Sequence, residues 1–354
     1  MLVERFCEFV RIDSESGNEG RFLAHLKGVL EGDLGARCEF DSYGNLICKV
    51  PAKGSLAAPL LLAAHADTVR PGVGIVPVVE EGIIYSKGET ILGADDKAGI
   101  VEILEAVKEA ERHPPLEIVI TREEEVGLLG AKNLDYTKLG AKRGLLLDSD
   151  VLNVVVIGGP THFFIDVVIV GKAAHAGMEP EKGVSAIRTA ALAITRFREG
   201  RIDAETTANV GVFRGGEIRN GVPERAELKA ECRSLNHEKA VRLAEEIRAA
   251  FLKAGEETGA KVKVQVQEAC RAFRLPEDAP IAELSKDAIR RAGLSPSTRV
   301  ITGGTDASIY NQHGIETAVL GIGAQNEHSK EERIAIADMK KAVEVLRYAL
   351  ELAA

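Results

Sequence analysis

The chain has 354 residues, 45% of them hydrophobic and 28% charged, with a formal net charge of −9. That length supports two domains with a sizeable core, and the scattered Lys and Arg, outnumbered by Asp and Glu, exclude a nucleic-acid or anionic-membrane binder. No apolar run approaches the ~20 residues of a membrane helix, the acid-bearing start MLVERFCEFVRIDSESGNEG predicts no signal peptide, and five cysteines without Cys-x-x-Cys spacing predict reduced thiols in a cytoplasmic protein.

In chain order, Ser16 or Asn18 is set to cap a helix through Leu30, with Phe22, Leu23, Leu26 and Leu30 on one face. Cys38 to Val50 predicts a hairpin turning at Ser42-Tyr43-Gly44-Asn45. Leu60 to Ala64 reads as a strand buried on both faces, as parallel sheets require. Lys97 to Arg112 predicts a helix with Ile100, Val101, Leu104 and Val107 inward, and Leu116 to Thr121 and Gly144 to Leu147 two further buried strands. Then the rhythm changes. Phe163 to Val170 (strand), Lys182 to Arg198 (helix, Val184, Ile187, Ala191 and Ile194 inward), Thr206 to Phe213 and Arg225 to Arg233 (strands), His237 to Ala254 (helix) and Lys261 to Gln267 (strand) spell β-α-β-β-α-β, the ferredoxin-like order. The first rhythm returns with helices over Pro280 to Ala292, Asp306 to His313 and Lys340 to Leu352, and strands at Val300-Ile301 and Thr317 to Gly321. The fold class is α/β: a mixed, mostly parallel sheet flanked by helices over residues 1–160 and 272–354, interrupted by a ferredoxin-like domain over residues 161–271.

Carboxylates and imidazoles collect where these strands end: His65 and Asp67, Asp95-Asp96, Glu123-Glu124-Glu125, Asp148 and Asp150, and His328. An α/β sheet opens its binding crevice there. Buried unpaired charge is costly unless a cation neutralises it, and histidine with carboxylate suits Zn²⁺, with Co²⁺ or Mn²⁺ as substitutes. Singly, each group also fits a plain role: a strand-end pair, an acidic helix start with Lys97 as its solvated neighbour, an acidic loop. Asp150 fits the surface. His65 and Asp67, two apart in extended chain, face the same side, so Asp67 can fix the His65 tautomer.

Together the segments HADTV (His65 to Val69), LGADDKAG (Leu92 to Gly99), TREEEVG (Thr121 to Gly127), LLLDS (Leu145 to Ser149), AAHAGMEPEKGVSAI (Ala173 to Ile187), NGVP (Asn220 to Pro223), GGTDAS (Gly303 to Ser308) and NEHSKEE (Asn326 to Glu332) span nearly the whole chain. In that order they resemble the peptidase T-like branch of the cocatalytic zinc aminopeptidase/carboxypeptidase family, which also contains aminoacylases and succinyl-diaminopimelate desuccinylases. The resemblance implies two Zn²⁺ per subunit, one held by His65 and Asp148, the other by Glu125 and His328, with Asp95 bridging and a non-proline cis peptide at Asp95-Asp96. It makes Asp67 the group that orients His65 and Glu124 the general base, which takes a proton from the attacking water and returns one to the leaving amine. His175, from the inserted domain, would stabilise the oxyanion across a homodimer, and Asn220 would contact substrate.

The turn Gly303-Gly304-Thr305-Asp306 either offers N–H groups to a substrate carboxylate or is a tight glycine turn, and Arg233 is either a carboxylate clamp or a surface charge. The implied function is an aminopeptidase for short peptides. A carboxypeptidase or N-acyl-amino-acid deacylase with the same metals stays open, because peptidase T usually has proline where Arg122 stands and glycine where Ser149 stands.

Overall fold

Four apolar runs lie side by side at the centre of a nine-stranded sheet in a computed structural model describing residues 1–354. They are Leu116–Thr121, Leu60–His65, Arg143–Ser149 and Glu316–Gly321, all parallel to their neighbours. Every residue of the first two is buried, which accounts for runs with no polar alternation. Leu46–Val50 and Val154–Gly159 flank this core antiparallel, making the sheet mixed. The helix Ala94–Glu109 packs on Leu60–His65 and Arg143–Ser149, and Pro280–Arg291 packs on Glu316–Gly321. The parallel strands therefore end together, and the candidate side chains follow those ends.

The chain divides into two units, one of Met1–Gly158, Arg274–Ile301 and Thr305–Ala354, the other of Gly159–Phe273 with Thr302–Gly304. In the second, an antiparallel sheet runs Gly200–Asp203, Thr206–Gly215, Arg225–Ser234, Thr161–Val170, Lys261–Cys270. With the helices Ala186–Ile194 and His237–Thr258 it makes the ferredoxin-like unit, around Ile165, Val167, Ile169, Leu228, Ile247 and Phe251. No helix of the chain is long and apolar enough to cross a membrane.

Several local expectations are corrected. The hairpin forms as Arg37–Phe40 and Leu46–Val50, and its register sets Cys38 opposite Cys48 in a disulfide, so these two cysteines are not reduced thiols. Cys7, Cys232 and Cys270 are buried and form no disulfide. Neither Ser16 nor Asn18 caps the next helix, which spans Gly20–Leu34 behind Glu19; the Ser16 hydroxyl donates to Asp67 instead. The first helix of the second unit spans only Ala186–Ile194, capped by Ser185, and buries Ala186, Thr189, Ala190 and Ala193 while Ile187 stays exposed. Small residues on that face let helix and sheet approach closely, and Leu192 and Ile194 pack partly buried against the same core. The helix Leu2–Val10 and a separate four-stranded sheet of Ala324–Gln325, Arg333–Ala335, Ile83–Ser86 and Pro77–Glu80 were not anticipated.

Glu102, on the helix Ala94–Glu109, is fully buried with neither carboxylate oxygen hydrogen-bonded, and burial pushes its carboxyl well above the ordinary range. A raised carboxyl pKa makes the folded state hold a proton that the unfolded chain gives up, so the penalty grows as pH rises above the unfolded value. Glu102→Gln cannot titrate. Its melting temperature relative to the parent should therefore be higher at pH 8 than at pH 5, which thermal unfolding at the two pH values checks.

Candidate metal centre

The centre is built at the C-terminal ends of the four parallel strands. His65 ends one of them, and its Nδ1–H donates to the Asp67 carbonyl at 3.0 Å, since a carbonyl can only accept. That leaves Nε2 facing Asp95 Oδ1 at 3.0 Å and Asp148 Oδ1 at 3.6 Å. His328 Nε2 lies 3.0 Å from Asp95 Oδ2 and 2.9 Å from Glu125 Oε1. One carboxylate thus reaches both imidazoles, an oxygen to each. Ligand atoms of His65, Asp95 and Glu125 all lie within 4.8 Å of one another, as do those of His65, Asp96 and Asp148.

Local backbone aims each group. Gly93 adopts φ +72° before the helix Ala94–Glu109, a conformation that suits glycine. The Asp95-Asp96 peptide is cis, and both residues leave helical geometry. Asp96 turns back, Oδ2 accepting the His65 backbone N–H at 3.0 Å. Gly99 makes room for it: a Cβ there would stand 2.4 Å from Asp96 Oδ1 and 2.8 Å from the Leu147 carbonyl. Asn326 and His328 sit at φ +58° and +61°, a left-handed backbone that costs non-glycine residues energy and recurs at functional sites. Thr305 donates to Asp148 at 3.2 Å, and Asp306 accepts from Thr121 at 2.6 Å.

The Asp67 carboxylate has a broader task than orienting His65. It accepts the backbone N–H groups of Glu124 (2.9 Å) and Glu125 (3.2 Å) and the Ser16 hydroxyl (2.7 Å). Although burial would raise it, contacts with His65, Ser16 and the Glu124 N–H hold its carboxyl below the ordinary range. Glu332 had no assigned role, yet it is buried and accepts from the N–H groups of Leu92 (2.8 Å), Gly93 (2.7 Å) and Asp95 (3.0 Å), clamping the turn that presents Asp95. Lys97 is not solvated: it is fully buried, donating to the Ile12 carbonyl at 2.7 Å beneath the Phe22 ring.

The charges do not balance. Burial pushes the Asp148 carboxyl up to about 6 and that of Glu124 well above its ordinary value, the latter reinforced by Asp148, Asp306 and Glu125. Hydrogen bonds to Asp95 and Glu125 lift His328 to about 10. His65, despite burial, is lifted by Asp148, Asp67 and Asp95. Asp96 Oδ1 accepts no hydrogen bond although buried. Imidazole nitrogens and carboxylate oxygens that face each other in this number need protons or cations between them. The donor set fits a pair of divalent ions with nitrogen and oxygen preferences.

The remaining candidates sit elsewhere. Asp150 is half exposed and pairs with Arg299. Glu123 accepts from the Tyr43 hydroxyl. In the second unit His175 is exposed, its Nδ1 accepting from the N–H groups of Gly177 and Met178, both at 3.2 Å, which leaves Nε2–H free to donate. Asn220 lies alongside, its carbonyl accepting from Ala176 N–H at 3.0 Å. Both line a cavity of about 610 Å³ with Arg214 and Ile218. The Arg233 guanidinium is engaged by Glu231 through Nε (3.2 Å) and NH2 (2.9 Å) and donates to the Thr302 carbonyl at 3.3 Å. Gly304 carries no side chain, and a Cβ on it would meet only Cys270 Sγ at 3.9 Å.

Residues 61–352 match the family described as peptidase family M20/M25/M40. The chain is 38% identical to the uncharacterized protein YqjE of Bacillus subtilis, over 100% of this chain and 98% of that one. Among solved structures it is similar to the aminopeptidase PepT of Bacillus cereus (38% identity, TM-score 0.88, 99% and 98% of the two chains). It is also similar to a tripeptidase of Staphylococcus aureus (35% identity, TM-score 0.93, 99% and 97%).

Proposed function

The chain belongs to peptidase family M20/M25/M40 and is a peptide hydrolase, and from that premise we propose that it is a dinuclear zinc aminopeptidase of the peptidase T kind, acting on short peptides. The observation that carries this reading is the Asp95 carboxylate with one oxygen 3.0 Å from each of two imidazoles. The likeness to an aminopeptidase and a tripeptidase over almost the full length of each chain supports the substrate class.

In this reading His65 and Asp148 would hold one Zn²⁺, Glu125 and His328 would hold the other, and Asp95 would serve both. The bound pair supplies Lewis-acid polarisation and a water that is acidic near neutral pH. Glu124, fixed through its own N–H by Asp67, takes the proton of the attacking water and returns one to the leaving amine. Across the homodimer, His175 would donate from Nε2 to the developing oxyanion, and Asn220 would contact substrate. Arg233 serves a substrate carboxylate only by exchanging Glu231 for it, and Gly304 offers a backbone N–H. The second unit also carries the homodimer contact: Ile187, Val212, Phe213 and Val241 expose apolar surface there.

A carboxypeptidase or deacylase could use the same ions but would need the opposite end of the substrate. The aminopeptidase reading expects kcat/KM for an N-acetylated tripeptide to fall at least ~100-fold below that of the free peptide, because a group meant for an ammonium is left unpaired, while C-terminal amidation matters less. Equal or faster cleavage of the acetylated peptide, measured by amine release, would transfer the assignment to the carboxypeptidases or deacylases.

A further inference from the structure

The loop carrying Glu124 and Glu125 is also held from outside the metal centre, by an ion pair with no part in the chemistry above. Glu19 is fully buried at the start of the helix Gly20–Leu34. Its Oε2 accepts from Arg122 Nε at 2.9 Å and lies 2.9 Å from Arg122 NH2. Its Oε1 accepts the N–H groups of Gly17 at 2.7 Å and Glu123 at 3.3 Å. The third corner of the guanidinium, NH1, donates to the Tyr43 carbonyl at 3.2 Å, while the Arg122 backbone N–H donates to Asn45 Oδ1 at 3.1 Å. Glu123 then takes a left-handed φ of +51°, which reverses the chain directly before Glu124.

One planar fork therefore ties together a helix start, a hairpin turn and the loop of the base. Only arginine offers donors in this fixed arrangement; a lysine ammonium is a point charge on a flexible stem. A loop residue with an unfavourable φ keeps it only where its surroundings over-determine it.

We propose that Glu19 and Arg122 are a positioning pair that sets Glu124 at its working distance from the attacking water, acting through the Glu123 backbone without touching substrate. This rests on the reading of Glu124 as the general base. A displacement of about 1 Å in such a group costs up to ~100-fold in rate, so Arg122→Lys and Glu19→Gln are each expected to lower kcat about 10- to 100-fold. KM for a tripeptide and a content of two zinc ions per chain should stay unchanged. In the Glu124→Gln background neither change should lower the residual rate further.

A kcat within twofold of the parent in both variants overturns the proposal. So does a loss confined to KM or to metal content, an additive effect in the Glu124→Gln background, or failure of both variants to fold, which would make the pair a folding element only. Full activity in Glu124→Gln alone would bring down the base reading, and positioning with it; an inactive Glu124→Gln beside an unimpaired Arg122→Lys would sink positioning alone.

Discussion

Glu124→Gln is expected to abolish turnover, with kcat at least ~1,000-fold down, while two metal ions per chain remain bound. The magnitude sits within the ~10²–10⁴-fold that a positioned proton-transfer group contributes. Metal retention is expected because the proposed ligands are His65, Asp95, Glu125, Asp148 and His328, not Glu124. With the metal removed, the variant should also fold at least as well as the parent. Burial and the neighbouring carboxylates of Asp148, Asp306 and Glu125 oppose a charged Glu124, so a neutral amide of the same shape removes a cost from the folded state. Peptide turnover, metal analysis and a melting curve on one preparation separate the possibilities. Lost activity with lost metal would point to a ligand role, lost activity with a lower melting temperature to damage, and full activity would remove Glu124 from the mechanism.

Much of this centre was legible because buried parallel strands leave a strong mark. Leu60–His65 and Leu116–Thr121 have no polar alternation, so the polar residues immediately after them had to lie at the crevice end of the sheet. Between Asp95 and Asp96 the residues alone could not choose. The structure makes the choice: Asp95 reaches the two imidazoles, and Asp96 turns back to the His65 amide.

What escaped is of another kind. Glu332 and Glu19 act on backbone N–H groups, which every residue possesses, so their partners leave no trace in composition or spacing. The Cys38–Cys48 bridge was within reach, since a turn centred on Tyr43 sets those positions opposite each other, but cysteine spacing alone argued for free thiols. The inner face of Ala186–Ile194 is lined by alanine and threonine, which periodicity of large apolar residues passes over.

Asp95→Ala should do what no other single ligand change does, which is to weaken both metal positions together. Its two oxygens are divided between His65 and His328, so truncation removes one donor from each half of the centre and leaves the imidazoles without their shared partner. Loss of groups that merely orient a ligand already weakens metal binding by ~10–100-fold; loss of a donor common to both positions should exceed that. Metal analysis after dialysis is expected to find less than one ion per chain in Asp95→Ala, whereas Glu125→Gln, which touches one position only, should retain about one. A chelator should inactivate the parent, and added Zn²⁺ should restore it but not Asp95→Ala. Because the metal-free imidazoles are held protonated by their carboxylate neighbours, uptake by the parent must also expel protons, and a lightly buffered solution should acidify on Zn²⁺ addition. The variant should acidify it less. If Asp95→Ala instead kept two ions and lost only turnover, the carboxylate would be acting on the reaction and not holding the pair together, and the bridged arrangement would have to be abandoned.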